Sequence, residues 1–277
     1  IYNTLDNCNI LLTPHITEIM KDDGIFPDDS LYLKYGIYNL GFLGLKRSDD
    51  VFKLLNWWSK KLSKDCFDDT RNNFFVDQKW MDLVPSMFNN VYISKHLGCN
   101  MAYWNLQERN LSKKENTYFV NDEYELLFFH FSSVEIDNDD SITSKQERYD
   151  LVSRDDLREI YVEYKNNLLK SSYKEYIKLP YTFNYFDNGE IITSLIRKTF
   201  EYAENEFEEE FPFSENSKIY NFAKKHKMLE KNDLEGKYNK RNYDKDDIRI
   251  KIINKSLFLT SKLIGSNKFT ALMKYLS

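Results

Sequence analysis

Apolar positions along this chain fall into short continuous runs and longer helical stripes, a mixture that predicts an α/β fold. Asn9-Ile-Leu-Leu-Thr13 has the length of a buried strand and is ended by Pro14. Ile37 to Leu45 reads as another strand, in which Gly41 and Gly44 suit close approach of a ligand or a neighbouring backbone. From Asp49 to Leu62, the residues Phe52, Leu55, Trp58 and Leu62 recur at helical spacing and predict a helix buried along that stripe. Leu126 to Phe131 is an apolar strand carrying His130. Ser153 and Asp156 form a start like a capping box for a helix with Leu157, Ile160, Tyr161, Tyr164 and Leu168 on one face. Lys21 to Asp29 and Asn138 to Asp140 read as loops from their Gly, Pro, Asn and Asp content.

The stretch from Asn73 to Pro85 places Asp77 and Gln78 after an apolar run, at the start of a predicted amphipathic helix that buries Trp80, Met81 and Val84. Polar groups at a helix N-terminus are held by free backbone N–H groups and the positive end of the dipole. Such groups either cap the helix or present themselves to a hydroxyl-rich ligand. Asn39 is likewise either a turn residue or an amide offered to a cleft.

Leu12-Thr-Pro-His15, Tyr38-Asn-Leu-Gly-Phe42, the Asp77-Gln78 helix and Phe128-Phe-His-Phe-Ser132, in that order, resemble a family of bacterial sugar-nucleotide-dependent glycosyltransferases with the GT-A fold. These are distantly similar to glycogenin-like and lipopolysaccharide galactosyltransferases. The resemblance extends through Tyr103-Trp-Asn-Leu106, Ser144-Lys-Gln-Glu-Arg-Tyr149 and Phe186-Asp-Asn-Gly189, covering about residues 1 to 213. It implies a GT-A-type acceptor-side half over 1–150, a helical extension over 151–217 and a basic segment over 218–277. The implied reaction transfers a sugar from a nucleotide-sugar donor to a saccharide or lipid-linked acceptor in surface-polysaccharide assembly.

By the same resemblance His130 is a candidate ligand for a divalent metal, Mn2+ or Mg2+, through its neutral imidazole. Lys145 and Arg148 are candidates to pair with the diphosphate as leaving-group charge develops. Asp77 and Gln78 would be the catalytic pair, beside the transferring sugar or the acceptor hydroxyl. His15 and Asn39 would contact donor or acceptor. The sequence departs from the family in having Ser133 where relatives have Gly, and in lacking the Lys-Pro-Trp that follows there. It also has no Asp-x-Asp before the Thr-Pro-His strand; Asp137 and Asp139 lie after His130, in a loop that reads as solvated. The chain begins at Ile1 with its first Met at Met20, so the expectation is the C-terminal portion of a longer protein. The alternative is a non-catalytic carbohydrate- or protein-binding module that keeps the fold.

Composition narrows the field further. A hydrophobic content of 42% with 16% aromatics is ample for a packed core. The three cysteines lack metal-ligand spacing, which points to reduced thiols and a cytoplasmic setting. Residues 218–277 carry 15 Lys+Arg against 6 Asp+Glu, leaving 24 against 38 elsewhere, and so acidic a body excludes a nucleic-acid binder. Ile253, Leu257, Ile264 and Leu272, interleaved with Lys255, Lys262, Lys268 and Lys274, give the tail two readings. It either docks on the acidic body or makes a peripheral contact with the inner membrane face.

Overall fold

The computed structural model describes residues 2–146, 148–230, 248–265 and 267–269. Leu272 and Lys274 of the expected basic face lie outside these residues, as does the side chain of Ile253. The chain is mixed α/β, with small sheets and helices, and forms two compact units that divide between Tyr176 and Ile177.

In the first unit, Ile10–Leu12 is the central strand of a three-stranded sheet, parallel to Val91–Ile93 and antiparallel to Gly44–Leu45. All three of its residues are buried, which is why the segment reads as a continuous apolar run rather than an alternating one. Leu54, Met81 and Val84 are fully buried against it.

The helix spans Asp49–Asp65 and is capped by Ser48, whose Oγ accepts the Val51 N–H at 3.3 Å. Its buried face differs from the expected one. Val51 and Leu54 face the core with Trp57 and Trp58 partly buried, whereas Phe52 and Leu55 are exposed. Two stripes satisfied the same helical period, and Trp57, on the stripe not expected, decides between them. Trp58 Nε1 donates to the Asp77 carbonyl, and Trp57 packs edge-on against Trp80.

Downstream of Asp77 the chain forms a 3-10 helix, Gln78–Leu83, and only then one α-turn, Val84–Met87. Pro85 has no N–H to return to the Met81 carbonyl, which instead accepts the Val84 N–H in the tighter pattern. The expected Ile37–Leu45 strand also breaks. Its first part pairs with Thr13–His15 and its end with Ile10–Leu11, with a turn at Leu40–Gly41 between them.

A second core cluster includes Met101, Trp104, Leu106, Ile142, Leu157 and Tyr161. Phe129–His130 pairs in parallel with Met101–Ala102, two residues of the longer strand expected there. The Arg158–Lys170 helix buries Ile160 and Tyr161 in this cluster, and Tyr164 stacks on Phe131 with ring centroids 3.9 Å apart. Residues 151–176 therefore pack with the first unit.

The expected capping box does not form. Ser153 Oγ donates to Asp150, and the Asp156 carboxylate is taken by Arg154 and the Leu111 N–H. The helix opens through a 3-10 turn, Asp155–Leu157, instead.

The second unit gathers Phe186, Ile192, Ile196, Phe207, Ile219 and Tyr220. Thr193 and Ser217 cap its helices Ser194–Tyr202 and Lys218–Lys225. Lys218 thus begins a helix whose Ile219 and Ala223 lie in this core. Farther on, the Ile248–Ile264 helix has no acidic residue and leaves Ile252, Leu257, Phe258, Leu259 and Leu263 exposed. Among the described residues no helix is long and apolar enough to cross a membrane.

Candidate functional site

Thr13-Pro-His15 and Ile37-Tyr-Asn39 meet as antiparallel neighbours. The His15 N–H donates to the Ile37 carbonyl at 3.0 Å and the Asn39 N–H to the Thr13 carbonyl at 2.9 Å. Two amides then hold the Pro14–His15 backbone. Asn100 Nδ2 donates to the Pro14 carbonyl, and Asn105 Nδ2 to the carbonyls of His15 and Asn100, while Asn105 Oδ1 accepts the Ala102 N–H. Both asparagines are fully buried. Buried amides carry a cost unless satisfied, and Asn105 offsets it by tying three segments together.

His15 is buried between Tyr32 and Trp104, with ring centroids 5.6 and 5.2 Å away. Its Nδ1 lies 3.1 Å from the Ile37 carbonyl, which can only accept, so Nδ1 carries the proton and Nε2 receives Asn39 Nδ2 at 3.4 Å. Both ring nitrogens are engaged. His15, expected as a direct ligand contact, is instead the support on which Asn39 rests.

Gln78 is also turned inward. Its Oε1 accepts the Leu40 N–H at 3.0 Å and Asn39 Nδ2 at 3.4 Å, and its Nε2 donates to the Tyr35 carbonyl at 3.0 Å. Asn39 Oδ1 accepts the Gly41 N–H at 3.0 Å. These side chains take the backbone donors of Leu40 and Gly41, which explains the turn where a strand was expected.

Gly41 lies directly against His130. A Cβ there would stand 1.9 Å from His130 Cε1. The His130 ring is 5.8 Å from Trp104 and 5.6 Å, edge-on, from Phe128, which stacks in turn on Phe42 at 5.0 Å. His130 Nε2 and Trp104 Nε1 are buried with no hydrogen-bond partner. Neighbouring orphans of this kind mark a place where a polar group from outside the chain belongs. Burial lowers the His130 pKa, keeping the imidazole neutral.

Asp77 is half-buried beside Gln78 and does not cap the 3-10 helix. Its charge is felt at Cys66, whose thiol pKa is raised first by burial and then by Asp77. Val76, immediately before it, has φ +39°, a sparsely populated region for a β-branched residue, and its N–H is held by the Phe67 carbonyl at 2.6 Å.

Comparison with known proteins adds two relatives whose names carry no function. The chain is 28% identical over 142 residues to the uncharacterized protein YfnF of Bacillus subtilis (strain 168), covering 49% of this chain and 45% of the relative. It is 29% identical over 105 residues to the uncharacterized protein YfnD of the same organism, covering 37% and 33%. The chain thus spans less than half the length of these curated relatives. No family model matches it. No solved structure matches it.

The basic candidates lie apart from this network. The Arg148 guanidinium forms a two-pronged ion pair with Asp23 at 2.6 and 2.8 Å and also donates to the Ile25 and Pro27 carbonyls. Its fork is committed to the 21–29 loop, so the expected pairing with a diphosphate gives way to a structural clamp. That clamp lowers the Asp23 pKa to about 2. Lys145 is exposed, with Nζ 3.4 Å from Ser132 Oγ.

A divalent metal finds few ligands here. Among the described residues no group of three or more His, Cys, Asp or Glu side chains could hold a metal ion. One imidazole does not suit a hard cation that prefers several oxygens, so these residues alone do not fit Mn2+ or Mg2+. Sequence reasoning gave Trp104 and Asn105 no role of their own. The available signal was an indole and an amide side by side in the Tyr103-Trp-Asn-Leu106 block.

His15 carries a pH prediction. Burial lowers its pKa from 6.5 to about 4, outweighing the favourable bond to Ile37. Between those values the unfolded chain binds the additional proton, so stability is full above pH 6.5 and is lost as pH falls towards 4. The whole effect is worth roughly 3 kcal/mol. Urea unfolding at a series of pH values should show this loss, and His15→Gln should remove most of it. An unchanged slope in that variant would contradict the assignment.

Proposed function

We propose that the chain forms the sugar-contacting wall of a nucleotide-sugar-dependent glycosyltransferase with a GT-A-type fold, acting on a saccharide or lipid-linked acceptor in surface-polysaccharide assembly. The observation that supports this most is two unpartnered buried atoms, Trp104 Nε1 and His130 Nε2, on neighbouring rings whose centroids lie 5.8 Å apart. An indole N–H only donates and a neutral imidazole nitrogen can accept, so a hydroxyl, which does both, satisfies the pair. Asn39, both of whose amide N–H groups are taken by His15 and Gln78, acts here by holding the Leu40–Gly41 turn that backs His130. The stacked Phe42 and Phe128 rings supply an apolar wall for a sugar face.

In this reading Trp104 and His130 fix a sugar hydroxyl, and Gly41 leaves room for the His130 ring to lie against the chain. Asp77, free of a capping role, orients the acceptor hydroxyl or balances positive charge developing at the sugar carbon. No step is routed through a metal. The Ile248–Ile264 helix, basic and apolar without a carboxylate, has the charge to meet an anionic membrane surface holding a lipid-linked acceptor. Salt-sensitive pelleting with acidic vesicles checks that contact.

The test of transfer is release of nucleoside diphosphate from a panel of nucleotide sugars by the full-length gene product, with Mn2+ or Mg2+ supplied. Release that falls about 100-fold or more in Asp77→Asn supports the reading. Saccharide binding at Trp104 without release from any donor would favour the second reading, a carbohydrate-binding module. That alternative is motivated by the lack of a metal-holding group among the described residues.

A further inference from the structure

The Asn138–Ser153 segment, which the transferase reading leaves largely unused, lines an open pocket of about 370 Å³. Asp140, Ser141, Thr143, Gln146, Arg148 and Asp150 contribute to its lining. Arg148 carries the argument. Its side chain is only 6% exposed, and its terminal nitrogens are pinned by Asp23 and the loop carbonyls. Its Nε is buried with no partner, and the pinned fork prevents the side chain from turning to find one. Arg148 is one of the residues that line the pocket, and an unpartnered N–H on it calls for an acceptor from outside the chain.

The rest of the lining narrows the ligand's chemistry. Asp140 and Asp150 bring two carboxylates, which disfavour a phosphate or other anion. The Arg148 guanidinium disfavours a metal cation. Asp150 receives Val152 N–H, Ser153 N–H and Ser153 O–H all at Oδ1. Gln146 is closed on Tyr149 through both ends of its amide. Charged donors and acceptors of both signs around an open pocket match a neutral molecule rich in hydroxyls, each able to give and take a hydrogen bond. The wall is tied to the strand bearing His130, because Thr143 Oγ1 donates to the Ser132 carbonyl at 2.8 Å.

We propose that this cavity binds a neutral saccharide unit, as the subsite for the acceptor. Its acceptor role rests on the transferase reading; saccharide binding by the cavity does not.

Titration of the isotope-labelled chain with lactose, sucrose and inorganic pyrophosphate, followed by amide resonances, tests the site. At least one sugar should shift residues 138–153 saturably, and pyrophosphate should leave them in place. Arg148→Lys keeps the charge but removes Nε, and should weaken the sugar about tenfold. Ser141→Trp fills the cavity without touching the Asp23 clamp, and should abolish the shifts while the rest of the spectrum stays native. Sugars that leave 138–153 unmoved, pyrophosphate that moves them, or a Ser141→Trp chain that still responds would each overturn the proposal. Failure of nucleotide-sugar turnover would leave these shifts intact, so the two readings fail separately.

Discussion

Gly41→Ala should remove ligand binding at the His130 cleft while the chain still folds. The added Cβ would stand 1.9 Å from His130 Cε1 and 2.7 Å from Nε2, far inside contact distance. The ring cannot slide away easily, because Trp104 and Phe128 flank it. Relieving such a clash costs roughly 1–3 kcal/mol, which a domain of this size tolerates. Function is less forgiving. A misplacement of about 1 Å can cost on the order of 100-fold where groups must converge on one atom. Nucleotide-sugar turnover and a urea midpoint, measured on the same preparation, separate the two effects. Turnover at the parent level in Gly41→Ala would remove His130 and its neighbours from the site.

Asn105→Ala should be the most destabilising single change around the cleft. The amide is fully buried and its loss strands the Ala102 N–H and the carbonyls of His15 and Asn100, all held at 2.8–2.9 Å. Each unmet buried group costs about 1–3 kcal/mol, and partial rearrangement leaves an expected loss of roughly 3–5 kcal/mol. Asn105→Asp keeps the acceptor but removes both donor bonds, so it should fall nearly as far. Denaturant unfolding checks both variants. A loss below about 1 kcal/mol would mean that the Thr13–His15 segment is held by something else.

The meeting of two segments was legible in part, as polar residues placed at the ends of apolar runs. Leu12 to His15 and Tyr38 to Phe42 announced themselves this way, and they lie side by side. The roles of the side chains there were not legible. Whether a histidine touches ligand or holds its neighbour depends on which carbonyl faces Nδ1, and Ile37 lies 22 residues from His15. Gln78 looked catalytic beside Asp77, yet its amide faces backbone groups 38 and 43 residues away. Arg148 is the extreme case, since Asp23 lies 125 residues from it. A basic loop residue and a clamped one have the same local sequence.

The helix from Asp49 shows a different limit. Periodicity found the helix but could not choose between two faces one residue apart, which Trp57 settles by packing edge-on against Trp80. The 3-10 segment after Asp77 was in principle readable from Pro85, whose missing N–H forbids a regular α-turn over Met81.

The indole N–H resonance of Trp104 reports most directly on whether this cleft takes a sugar. The chain has four tryptophans, and the indoles of Trp58 and Trp80 already donate to the Asp77 and Asp65 carbonyls. Titration with nucleotide sugars and with the free sugars should move the Trp104 signal downfield and saturably, as its unpartnered N–H gains an acceptor, while those of Trp58 and Trp80 stay in place. The same titration of Gly41→Ala should leave all of them unmoved. A Trp104 resonance that no donor or sugar displaces would contradict a hydroxyl-binding site at His130.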